Sequence, residues 1–159
     1  MPVSGNLEFK LEQAVMAVLA TNAELAGITI RRFHDTTANT VEYPIIVVHC
    51  SGAGDEEWSV LADFSEAFVG VMCMTYAVVD TTSATVNDML GAVRDTIYRP
   101  TFTDDLTGAV SGLTIYGAQI DGPSGNDDNN EVRVRTLTLK IHASAADIAD
   151  ETSSSSSSP

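Results

Sequence analysis

The sequence predicts an α+β fold, a mixed but mainly antiparallel sheet of about four to five strands packed with two main helices. Three observations lead there. Apolar residues recur at helical spacing over residues 7–25 and again over about 82–98. Runs of β-branched and aromatic residues of strand length lie between and after these stretches. A chain of 159 residues with 44% apolar content matches one ordinary domain with a single core. Residues 1–142 are expected to form that domain, and residues 143–159 a disordered, Ser-rich tail.

Leu7, Leu11, Val15, Val18, Leu19 and Leu25 mark one face of the opening helix, with Glu8, Lys10, Glu12 and Gln13 mostly off it. Asn6 is the expected N-cap and Gly27 the stop. Ile28–Phe33 alternates as a short strand does, and residues 34–40 are a polar loop. Tyr43–Cys50 is a second strand, with Pro44 at its start or on an edge because proline donates no ladder bond.

After the loop Ser51–Glu57 comes the longest apolar stretch, residues 66–79. It is apolar on both alternating faces, as a central covered strand is, and Gly70 marks a bulge or a close approach. Val86, Met89, Leu90, Val93 and Ile97 define the second helix, capped by Asp80 or a following threonine and ended before Pro100. Residues 100–111 read as a long loop and Leu113–Ile120 as a strand. The acidic connection 121–130 leads to a final strand, Glu131–His142, whose arginines project into solvent or a partner.

The formal charge of −14 repels nucleic acid and anionic membranes, whose partners normally carry basic patches. No apolar run reaches the roughly 18 residues needed to span a bilayer. The opening Met-Pro-Val-Ser-Gly-Asn lacks a basic segment and an apolar leader, so a soluble chain made in the cytoplasm is expected. Cys50 and Cys73 sit in apolar strand-like runs and read as two buried thiols, with a cross-strand disulfide as the alternative if the strands pair.

Reactive chemistry is sparse. His34, His49, His142 and the cysteines match no paired-ligand spacing for zinc. The Asp/Asn-rich loop 121–131 lacks the register of a calcium-binding helix–loop–helix. Gly52-Ala-Gly54 is followed by acids in place of a lysine, and no nucleophile elbow accompanies the serines. The expectation is therefore no catalytic residue, no metal and no cofactor. Trp58, Leu61 and Phe64, set among acids, read as a partner interface or as a cover for one open end of the domain's own core. Asp121, Asn126, Asp127 and Asp128 in the loop, with Arg133 and Arg135 beyond it, complete the candidate contact set.

The order helix–strand–strand–long strand–helix–strand–strand resembles the tail terminator and related minor tail (head–tail joining) proteins of long-tailed bacteriophages. The resemblance spans about residues 7–142. It is carried by the helix Leu7–Leu25 ending in Leu25-Ala-Gly27, the Tyr43-Pro-Ile-Ile-Val-Val entry, the strand Phe68–Val79 leading to the helix Val86–Tyr98, and the closing strand Val132–Ile141. It implies a structural virion subunit, assembled in the host cytoplasm, that forms a ring, usually a hexamer, on a completed tail tube. Such a ring stops tube polymerisation and meets the head connector. Self, tube protein and connector are then the partners, with DNA only as passing cargo and no membrane. The family offers no catalytic residue to transfer. This chain departs from it in its acidity, its loop at 121–130 and its Ser-rich end. The other readings are a neck or tail tube subunit of the same virion, a non-viral acidic adaptor domain, and an enzyme of unrecognised type.

Overall fold

The computed structural model describes residues 2–33, 43–51 and 65–145. Helix α1 (Pro2–Leu19) and a 3-10 turn (Ala23–Leu25) lead to strands β1 (Thr29–Arg32), β2 (Ile45–Ser51) and β3 (Ser65–Tyr76). Helices α2 (Ala84–Ile97) and α3 (Phe102–Ala109) follow, then β4 (Leu113–Ile120), β5 (Gly125–Asn126) and β6 (Val132–Ala145). The fold is α+β, as expected, with a six-stranded mixed sheet in the order β1-β2-β3-β6-β4. β1 runs parallel to β2 and the other pairs are antiparallel. β3 covers one side of β6 over its first twelve residues, so β5 lies on the other side, the one that β4 also uses.

Side-chain alternation puts one face of this sheet against the helices. Ile46, Val48 and Cys50 of β2, Val69, Val71 and Cys73 of β3, and Leu137, Leu139 and Ile141 of β6 share a core with Leu11, Val15, Val93 and Leu106 of the helices. Each fully buried aliphatic side chain contributes about 2 kcal/mol relative to exposure. The opposite face is mixed. Ile45 and Val47 are buried there, while Phe68, Met72 and Met74 are only half-buried.

Several expectations need correction. α1 begins at Pro2, so Asn6 lies inside it, and it ends at Leu19. Asn22 explains the break: its side-chain oxygen accepts the Glu24 N–H at 2.8 Å, and its amide donates to Ala92 O at 3.0 Å and Thr96 Oγ1 at 2.9 Å. That anchors the turn to α2 in place of a further helical turn. Lys10 and Glu12, expected off the apolar face, are both buried. Residues 102–109 are helical where a loop was expected. Asp104 and Asp105 sit in the first turn of α3, where the helix dipole favours acids, and Phe102 and Leu106 bury one face.

β3 stops at Tyr76, leaving Val78 and Val79 in a turn. Gly70 causes no bulge, since β3 keeps unbroken register with β2 and β6. The irregularity is in β4, between Ile115 and Gly117. β6 runs to Ala145, beyond the expected boundary at 142. The expected tail from there on falls on residues 146–159, outside the described residues.

β2 and β3 do pair as antiparallel neighbours, but Cys50 faces Val69 and Cys73 faces Ile46. Four rungs, about 13 Å, separate the cysteines. Both are free thiols. Among the described residues no helix is long and apolar enough to cross a membrane.

Candidate protein interface

The acidic connection expected to reach a partner is a hairpin arm pinned to its own sheet. Asp121 N donates to Thr138 O at 2.8 Å, β5 pairs with Thr136 and Arg135, and Asp127 N donates to Val134 O at 3.0 Å. At the tip, Asn129 Oδ1 accepts the N–H groups of Glu131 and Val132, both at 2.7 Å. This is the Asx turn that an Asn-rich sequence favours. Arg94 Nη2 adds a bond to Ser124 Oγ at 2.9 Å.

The two arginines point into the protein, against the expectation that they project outward. Arg135 is buried, with Nη1 at 2.6 Å from Asp128 Oδ1 and Nε at 3.0 Å from Asn87 Oδ1. Arg133 donates to the Asp80 and Thr81 carbonyls at 2.6 and 2.9 Å and reaches Asp128 Oδ2 at 3.2 Å. The bond from Arg135 holds the Asp128 carboxyl below its ordinary pKa against some desolvation, with help from Val134 N–H and Arg133. Asp128 thus closes the arm onto β6, while Asp121, Asn126 and Asp127 remain exposed along it. Trp58, Leu61 and Phe64 lie outside the described residues.

Asp80 is the hub next to the arm. Its carboxylate accepts from Thr75 Oγ1 at 2.8 Å, Thr85 N at 3.0 Å and Val86 N at 2.9 Å, capping the N-terminus of α2. Burial pushes its pKa up, but those three bonds and the nearby Arg133 charge outweigh burial and leave it lowered.

Sequence reasoning missed the surface built on this hub. The apolar run places Val78 and Val79 in a covered strand, yet they are 77% and 79% exposed. Tyr76 beside them is 45% exposed and meets Tyr43 edge-to-face, with ring centroids 4.5 Å apart. The polar run Asp80-Thr-Thr-Ser83 directly after the valines was the available signal that the strand had already ended.

A second polar cluster closes the β1 edge. Buried Glu12 accepts from Arg32 Nε at 2.7 Å and Cys50 N at 2.8 Å, and His49 Nδ1 lies 3.7 Å away. The Arg32 guanidinium also stacks over the Phe9 ring at 4.6 Å. The neighbouring thiol is a poor nucleophile: burial, then Glu8 and Glu12, push Cys50 up to about 12, and burial does the same to Cys73. Among the described residues no group of three or more His, Cys, Asp or Glu is placed to hold a metal ion.

A groove of about 660 Å³ runs between the 3-10 turn and α2, with Glu24, Asp88 and Asp95 among its lining. Another, of about 550 Å³, lies between α1 and α3. Neither brings together a nucleophile and a base. What the geometry offers is an exposed apolar surface at Val78 and Val79, with the charges behind it fixed by internal bonds. No protein-family model matches the chain, and no curated protein matches it.

Proposed function

We propose that this chain is a structural virion subunit, a tail terminator whose ring caps the tail tube, stops its polymerisation and joins it to the head connector. The observation that carries the reading is a sheet flanked by β1 and β4, with the helices packed on one face. Outer strands are natural points for subunits to meet, and head-to-tail contacts generate rings when the rotation closes. β4 is suited to that role despite the charge of −14, because Leu113–Ile120 contains no charged residue. Like-charged copies approach there at the lowest electrostatic cost. The acidic surface elsewhere supports a ring that lets DNA pass without holding it.

A tail tube subunit is the second reading, favoured by the same two outer strands, since contacts that fail to close give open polymers. Particle mass by light scattering at low and high salt, with negative-stain images, separates the readings. A closed ring of uniform size supports the terminator, and open-ended tubes support the tube subunit. A monomer at every salt concentration overturns self-assembly and leaves the adaptor domain.

A further inference from the structure

The turn after β3 carries apolar surface that the protein holds rigidly in solvent. Val79 N and Asp80 N both donate to Tyr76 O, at 3.2 and 2.8 Å, and Ala77 N donates to Glu131 O at 2.9 Å. Behind the turn, the buried Asp80 carboxylate caps α2, and Arg133 grips the Asp80 and Thr81 carbonyls. Val78 and Val79 are thereby fixed while about four-fifths exposed, next to the Tyr43–Tyr76 pair and the exposed Pro44. Adjacent β-branched residues have few rotamers to lose, so docking on them costs little conformational entropy. An apolar centre on a preordered backbone is the usual anatomy of an interaction hot spot.

The border of this knob is acidic. Glu131 is exposed and its backbone is bonded to the turn. Asp128 is paired with Arg133 and Arg135, so the acid of this border that has no ion pair among the described residues is Glu131. A fitting partner needs an apolar cleft edged with Lys or Arg. A second copy has few cations to spare for that edge. Of the eight basic residues, Arg31 alone lacks an ion pair or hydrogen bond among the described residues; the other seven are held by acceptors of this same chain.

We propose that the Tyr43–Tyr76–Val78–Val79 knob is the docking surface for a different protein, one that presents an apolar cleft rimmed with basic side chains. The inference is independent of ring formation and holds equally for a terminator or an adaptor.

The probe is a fluorescently labelled peptide of Leu and Lys, compared with its Leu/Glu counterpart by anisotropy at low and high salt. The Leu/Lys peptide should bind the full chain, and the Leu/Glu peptide should not. Val78→Ser with Val79→Ser should weaken binding at least about tenfold with an unchanged melting curve, as loss of a hot spot does. Glu131→Gln should weaken binding less and reduce its salt dependence, while Asp88→Asn, on the α2 groove, should leave binding unchanged. Failure of the Leu/Lys peptide to bind, equal binding of both peptides, or full binding by the double serine variant overturns the proposal. Self-association that the double serine variant abolishes overturns it too, since the occupant would then be a second copy.

Discussion

Glu12 on α1 accepts the backbone N–H of Cys50 at 2.8 Å, two residues beyond the last rung at which β1 pairs with β2. The carboxylate does there what another β1 residue would do: it satisfies a ladder donor that burial would otherwise leave unpaired. Arg32, the last residue of β1, donates to the other carboxylate oxygen. One side chain thus fastens α1, β1 and β2 together.

Glu12→Ala should therefore cost about 3 kcal/mol, because it strands both a buried N–H and a partly buried guanidinium. Glu12→Gln keeps an acceptor and should cost less. Denaturant midpoints of the two variants, at unchanged slope, check the order.

Asp80 gives a pH dependence with a definite sign. Its folded pKa is lowered, so its stabilisation is complete above the unfolded carboxylate range and is lost as pH falls through the folded value. Asp80→Asn should lower stability at neutral pH by about 1–2 kcal/mol, the worth of a helix cap. It should also flatten the acid limb of the stability curve below roughly pH 4. Urea unfolding across that range reads both effects.

The two thiols, each pushed up to about 12 and buried, should resist alkylation in the native protein at neutral pH. Both should react fully in denaturant without reductant, since their register keeps them four rungs apart. Native labelling of either, or a disulfide seen by mass, would contradict the placement.

Arg135→Ala should release the hairpin arm before it affects the rest of the sheet. The loss of three contacts, to Asp128, Asn87 and Val134 O, should cost about 2 kcal/mol. Hydrogen exchange should speed up at the β5–β6 rungs and at Asp127 N–H, leaving the β3–β6 rungs around Val69 and Leu139 protected.

Local pattern revealed what local pattern can encode. β1, β2, β4, β6 and α2 were legible because alternation or helical spacing persists over enough residues to stand out. α3 was not, since eight residues allow only one apolar repeat, Phe102 to Leu106. β5 is Gly-Asn, which reads as turn; only its place beside Thr136 and Arg135 makes it a strand. The parallel pairing of β1 with β2 depends on a non-local register that no alternation reports. On the candidate surface, Arg133 and Arg135 looked outward because charge on a strand usually seeks water. Their acceptors, Asp80 and Asp128, are set by the fold. Glu12 looked solvated for the same reason. The valine knob was hidden because Val78 and Val79 continue an apolar run past the point where pairing stops.

The position of β6 has a consequence for how the chain is made. It is an inner strand, bonded to β3, β4 and β5, and it follows all three in the chain. Synthesis proceeds from the N-terminus, so the ribosome delivers the strand's neighbours before the strand itself. Until then, among the described residues, β3 presents one bare edge beside an unfilled gap and β4 lacks its partner strand. Such edges are templates for wrong pairing between nascent chains on a crowded message. Holdase chaperones should therefore bind this protein while it is still tethered, and a chain halted before Val132 should aggregate where one that reaches Ala145 folds.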